Sequence, residues 1–307
     1  MQVIRKAQPD PRRQQLLRRA MLITILGNLI LAVIKGIAAY TSESTALYAD
    51  AANSVSDLLY SLLLTWGLWM AQRPPDLSHP QGHSRFEPLA GLIIAGAMTF
   101  AGYEAGRVAV VRFLAGGAVI PVGLPTVVLL LSAVGKVGMF ASIHRIAART
   151  GSPGLDAVAT DNLADVLTSV AALLGTLGSQ LLHPLTDPIA GLLVAVWIFR
   201  SAYGVWRENL VYLTGGGASS ELRGQIAKTA ENVEGVIRVH QVITEHVGPE
   251  LVADIHINVD GNVPLFDAHA ISDEVRVRIE ELPGIDRAYV HAEPCGAVTP
   301  EDDCPPI

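Results

Sequence analysis

ALYADAANSVSD (Ala46 to Asp57) and ATDNLADVLTS (Ala159 to Ser169) decide how this chain is read. Each lies in a long apolar run, Thr45 to Ala71 and Leu155 to Leu182, yet the first holds Asp50, Asn53 and Asp57 and the second Asp161, Asn162 and Asp165. A membrane-crossing helix needs about 20 mostly apolar residues, and a carboxylate at the bilayer centre costs about 2.5 to 3.5 kcal/mol on insertion scales. Aspartates at that depth must face each other, an ion or a water-filled cavity, and not lipid. Asn53 and Asp57 are spaced i, i+4, as are Asp161 and Asp165, so each pair shares one helical face a turn apart. Opposed, the two faces gather three carboxylates and one amide oxygen at one point. An all-oxygen set suits a hard divalent cation such as Mn²⁺ or Mg²⁺, whereas zinc sites usually include His nitrogen or Cys sulfur.

The surrounding chain fits a lipid-embedded protein. Of 307 residues, 50% are hydrophobic and 17% charged, and the mean hydropathy is +0.38. That is too apolar for an ordinary soluble enzyme and for intrinsic disorder. Six stretches are long and apolar enough to span: Ala20 to Tyr40, Thr45 to Ala71, Pro88 to Val108, Val122 to Ile143, Leu155 to Leu182 and Pro188 to Trp206. The expected fold is a polytopic α-helical membrane protein with six transmembrane helices and a C-terminal α+β domain. The N-terminal arm carries Arg5, Lys6, Arg12, Arg13, Arg18 and Arg19, the second connection Arg73 and Arg85, and the fourth Arg145 and Arg149; the opposite loops carry only Arg107 and Arg112. Positive residues stay inside, so both termini are expected in the cytoplasm. Lys35, late in the first span, and Lys136, in the middle of the fourth, are the bases that could partner the acidic quartet; no direct ion pair from either is expected.

From Gly215 the pattern changes. Before it stand 16 basic and 12 acidic residues, a charge of +4; from it on there are 6 and 17, a charge of −11. No basic patch suggests nucleic acid. Ser219 to Asn232 reads as a helix opened by Ser219 or Ser220, Val236 to His246 and Leu251 to Val259 as strands, Phe266 to Glu281 as a helix and Asp286 to Glu293 as a strand, in the order αββαβ. In the second strand Ile255, Ile257 and Val259 point one way, and Asp254, His256, Asn258 and Asp260 the other. The expected division is an arm over 1–19, a transport domain over 20–214, a cytoplasmic domain over 215–297 and a disordered tail over 298–307.

Two further groups have ligand chemistry. Asp76, His79 and His83 in the second connection stand at i, i+3 and i+7, a competent metal-ligand spacing interrupted by Pro80 and Gly82. The C-terminal domain holds five of the nine histidines, His240, His246, His256, His269 and His291. His291 and Glu293 alternate on one strand face and His256 lies on the polar face of its own, so they converge if those strands pair.

With ALYADAANSVSD, DLSHPQGHSRFE (Asp76 to Glu87), ATDNLADVLTS and the HINVD and YVHAEPC segments in this order, nearly the whole chain resembles the cation diffusion facilitator family of divalent-metal/proton antiporters. The resemblance implies a homodimer of six-helix bundles with cytoplasmic ferredoxin-like domains, in the inner membrane of a prokaryote. It implies a transport site at Asn53, Asp57, Asp161 and Asp165, supports the loop site at Asp76, His79 and His83, and implies a cytoplasmic site at His240, His256, His269, His291 and Glu293 with His246 left out. The absence of histidine from the transport set is similar to bacterial manganese exporters. Where members often carry Asp three residues before the first ligand of the fifth span, this chain has Val158.

The expected activity is export of Mn²⁺ by alternating access with protons moving the other way, metal and protons competing for one set of oxygens. No catalytic cofactor is implied; the partners are divalent metal, protons, the bilayer and a second copy of the chain. The alternatives are the same antiport of Zn²⁺, Fe²⁺, Co²⁺ or Cd²⁺, a metal channel or sensor, and an intramembrane aspartyl protease. The protease would need a GxGD segment, which LYAD, SVSD, VATD and NLAD all lack.

Overall fold

Inside a bilayer every backbone N–H and C=O must be satisfied within the segment, so long apolar runs can fold only as helices. The computed structural model, which describes residues 11–42, 45–117 and 123–295, has six such helices in its first part: α1 (Pro11–Ser42), α2 (Thr45–Ala71), α3 (Phe86–Leu114), α4 (Leu124–Thr150), α5 (Pro153–Leu181) and α6 (Thr186–Leu213). Arg5, Lys6 and the tail from Val298 lie outside the described residues, as does the side chain of Asp50. Five helices, α1 and α3 to α6, are long and apolar enough to cross a membrane. Among the described residues the expectation of six qualifying stretches is thus met in five, α2 being the helix that does not qualify.

The helices also overrun the apolar stretches. The first starts at Pro11, so Arg12, Arg13, Arg18 and Arg19 extend it as helix. Proline at the start of α5 costs nothing there, since its missing N–H has no intrahelical partner, and Ser152 accepts the N–H of Leu155 at 3.2 Å as a cap.

Contacts between neighbours set the bundle: α2 packs on α1 and α3, α5 on α3 and α4, and α1 on α4. The buried centre joins Leu64 and Leu68 of α2, Ile94 and Met98 of α3, Met139 and Ile143 of α4, and Leu155 and Val158 of α5. Small residues permit close approach: at Gly91 of α3 a Cβ would run into the Asn209 side chain of α6.

The chain divides into two compact units between Leu210 and Val211. The second holds α7 (Ser220–Glu231), β1 (Arg238–Val247), β2 (Glu250–Val259), α8 (Leu265–Glu280) and β3 (Ile285–Pro294), the order read from the sequence. Ser219 is the cap of α7, accepting from the N–H of Leu222. The sheet order is β1-β2-β3, with β2 antiparallel to β1 and parallel to β3. Leu251, Ala253, Ile255, Ile257 and Val259 pack on Ile226 and Ala230 of α7 and Val275 and Ile279 of α8. Period-two alternation thus puts the apolar face of β2 against the helices. His256 and Asp254 are left on the other face.

Candidate metal-transport site

Asp57 reaches the site from α2, and Asp161 and Asp165 reach it from successive turns of α5. One carboxylate oxygen from each lies within 4.8 Å of the others. Asn53, a turn before Asp57, lines the same cavity. Two of their main-chain carbonyls are already engaged by side chains: Asp57 O accepts from Ser61 Oγ at 2.7 Å and from Asn28 Nδ2 at 3.5 Å, and Asp165 O accepts from Ser169 Oγ at 2.8 Å. The carboxylates are therefore the oxygens left to act. Asn162, between the two α5 aspartates, turns back to donate to Val158 O at 2.9 Å and is buried away from the cluster.

A base is present after all. Lys136 of α4, 3% exposed, donates a hydrogen bond to Asp57 Oδ2 at 2.9 Å and stands 2.6 Å from Asp165 Oδ2. The expectation of no direct ion pair is corrected here. An intramembrane lysine demands a partner, but periodicity alone does not give the rotation of α4 against α2 and α5. Lys35 of α1 is buried too.

A cavity of about 520 Å³ opens onto Asn53, Asp57, Asp161 and Asp165 and continues between α3 and α6 to Glu104, Arg112 and Asp187. At that far end Arg112 pairs with Asp187 at 3.0 Å and Arg107 with Glu104 at 2.8 Å. Toward the opposite end of the bundle, Leu64, Leu68, Leu155 and Val158 are packed shut.

The loop trio also comes together. Asp76 Oδ1 accepts the N–H groups of Ser78 and His79 at 2.9 and 2.7 Å. His83 Nε2 lies 3.4 Å from its Oδ2, and the two imidazole centroids are 4.5 Å apart. The His79 N–H, with the neighbouring imidazoles and the Ser78 N–H, holds the Asp76 carboxyl below the usual aspartate range. Pro80 and Gly82 are what close this loop: Gly82 has a φ of 108°, and its N–H returns to His79 O at 3.0 Å.

In the second unit Glu293 is the hub. Its Oε1 is 2.9 Å from His256 Nδ1 and 3.5 Å from His291 Nε2, and its Oε2 is 3.4 Å from His240 Nε2. Parallel pairing sets His256 beside His291. A bulge between Val239 and Gln241 leaves His240 outside the register, and its Nδ1 meets Asn258 Oδ1 at 3.0 Å. His269 stands apart on α8, 3.6 Å from Asp273 of its own helix. His246 packs edge-on to Tyr212, with ring centroids 4.7 Å apart, and its burial lowers its pKa.

The sequence matches the cation efflux transmembrane domain over residues 21–214 and the cation efflux protein cytoplasmic domain over 218–295. The chain belongs to the cation efflux family, also called the cation diffusion facilitators: it is a multi-pass secondary transporter, not an enzyme, and effluxes divalent metal cations. It is 35% identical over 275 residues to the uncharacterized transporter MJ0449 of Methanocaldococcus jannaschii, covering 90% of this chain and 97% of that one. It is similar to two Bacillus subtilis proteins, the manganese efflux system protein MneS, at 28% identity over 89% of this chain and 94% of that one, and MneP, at 24% over 92% and 97%.

Proposed function

We propose that the chain exports Mn²⁺ from the cytoplasm in exchange for protons, through Asn53, Asp57, Asp161 and Asp165. One observation carries this reading: three carboxylates from two helices share a point at the end of a cavity, and that cluster is all oxygen. Oxygen ligands suit manganese, and His and Cys are absent from the set. Similarity to two manganese efflux proteins supports the same ion.

In this reading α2 is the sixth span, both termini are cytoplasmic, and the ferredoxin-like domains of a homodimer sit in the cytoplasm. The end of the cavity at Glu104 and Asp187 then faces outward, while Leu64, Leu68, Leu155 and Val158 close the path from the cytoplasm, so the structure corresponds to the release-ready form. Protons supply the exchange because the same oxygens that release the metal can take them up. Rocking of α1, α2, α4 and α5 against an α3–α6 frame would reopen the site inward. Asp76, His79 and His83, and His240, His256, His291 and Glu293, are regulatory metal sites in the same proposal, His269 joining only if another copy of the chain brings it close.

Purified protein in liposomes tests the transport claim: Mn²⁺ flux should follow an imposed ΔpH and be lost in Asp57→Ala and Asp161→Ala. Flux indifferent to ΔpH would make the protein a channel. The same antiport with Zn²⁺, Fe²⁺, Co²⁺ or Cd²⁺ is decided by metal competition in that assay.

A further inference from the structure

Lys136 belongs to neither helix that supplies the transport ligands, yet its ammonium occupies two of the three carboxylates. A protonated lysine has three donors and no acceptor, so it cannot ligate a metal, only compete with one. Among the described residues lining the cavity Lys136 is absent, whereas Asp57, Asp161 and Asp165 all line it. The ammonium therefore comes from the α4 side and an ion in the cavity from the α3–α6 side, and both address the same oxygens. Its ion pairs are to Asp57 and Asp165, which leaves Asp161 as the first carboxylate an entering ion can take.

We propose that Lys136 is a tethered cation that fills the transport site when metal is absent, and that each arriving divalent ion must displace its ammonium from Asp57 and Asp165. The proposal rests on the transport-site reading above. Three carboxylates buried together repel one another, and a carrier that returns without metal must cross its occluded form with whatever part of that charge protons have not neutralised. The lysine supplies a cation for that passage. Its long unbranched stem lets the head withdraw along α4 without moving the helix, which a short side chain could not do. Metal affinity is thereby held down, so an ion bound from the cytoplasm can also leave. Lys136 is thus a positioning and affinity-setting residue and does not touch the metal.

The test is Mn²⁺ titration calorimetry on the full-length protein in detergent, with wild type, Lys136→Met, Lys136→Gln, Lys136→Arg and Asp161→Ala. The binding component that Asp161→Ala loses defines the transport site. Lys136→Met should bind Mn²⁺ at that component at least tenfold more tightly than wild type, and its ΔpH-driven export in liposomes should fall, while Lys136→Arg stays near wild type in affinity. Lys136→Gln should behave as Lys136→Met, and carries the result if the methionine variant does not fold. Equal or weaker binding in a folded Lys136→Met or Lys136→Gln protein overturns the proposal, because an ammonium that fills the site must leave it tighter when removed. If Asp161→Ala binds as wild type does, the site reading falls and the proposal falls with it; loss in Asp161→Ala with no gain at Lys136 overturns the proposal alone.

Discussion

Arg112, in the last turn of α3, and Asp187, in the first turn of α6, meet at 3.0 Å across the far end of the cavity. Arg112 is 54% exposed at its side chain and Asp187 13%. With its arginine this exposed, the pair is worth about 0.2–1 kcal/mol. It can order the mouth of the cavity without locking it. Arg112→Gln or Asp187→Asn should change Mn²⁺ export by less than about fivefold, within that energy at 1.4 kcal/mol per tenfold. The exchange Arg112→Asp with Asp187→Arg should recover most of the loss in the same flux assay. Abolition by either single change would make the pair part of the transport chemistry.

Histidine in place of Asn53 tests the ion. A nitrogen ligand beside Asp57, Asp161 and Asp165 turns an oxygen-only set into one that zinc accepts well. Asn53→His should move the Zn²⁺ to Mn²⁺ preference toward zinc by about tenfold or more, a difference of about 1.4 kcal/mol. Competition of the two metals for export by the same liposomes measures it. An unchanged preference would remove Asn53 from the ligand set.

Helical spacing was enough to place Asn53, Asp57, Asp161 and Asp165 on two matching faces, because i, i+4 geometry holds whatever the helix packs against. The order of the second unit was equally legible: alternation in Asp254 to Asp260 and the caps around Ser219 are local signals. What escaped is set between elements. The approach of Lys136 to Asp57 depends on how α4 is rotated against its neighbours, and the placing of His240 depends on a bulge at a strand that otherwise alternates plainly. Neither has a sequence period. The segment from Asp76 to His83 was recognisable as ligand chemistry, but that Pro80 and Gly82 close it and do not merely interrupt it is a property of the turn they make.

That turn yields a prediction of its own. Gly82 holds a φ of 108°, where an L side chain is strained, while a Cβ there would meet only Pro75 Cγ at an ordinary 3.7 Å. Gly82→Ala should therefore cost about 1–3 kcal/mol through backbone strain, not through a clash. The loop should loosen around Asp76, and the metal held by Asp76, His79 and His83 should bind more weakly, with Mn²⁺ export surviving. Titration calorimetry in an Asp161→Ala, Glu293→Gln background reads the loop component, and thermal melts read the strain. Wild-type loop binding in Gly82→Ala would show that the turn does not organise the ligands.

Acid should act on the same loop in a defined direction. Backbone donors lower the folded-state pKa of Asp76, so its contribution to loop order is present above the ordinary aspartate value of about 3.9 and is lost as pH falls through the lower folded one. Carbon-13 NMR of the Asp76 carboxyl should place its midpoint below 3.9, and Asp76→Asn, which cannot titrate, should remove that acid step. A midpoint at or above 3.9 would mean that the His79 and Ser78 N–H groups do not point at the carboxylate in solution.

Glu293 and His269 separate two views of the cytoplasmic site. Glu293 touches His240, His256 and His291 through its two oxygens, so its loss removes the anion that all three share. His269 is held against Asp273 on α8, away from that cluster. Glu293→Gln keeps the shape but removes the charge, and should weaken metal binding at this site by about tenfold or more, whereas His269→Ala should stay within about twofold of wild type. Both are read as the Mn²⁺ component left in the Asp161→Ala, His83→Ala background, where the transport and loop sites are silent. Equal losses in the two variants would mean that the metal is completed by a residue the single chain does not bring to Glu293, and a concentration-dependent stoichiometry of one metal per pair of chains would identify a second copy as its source.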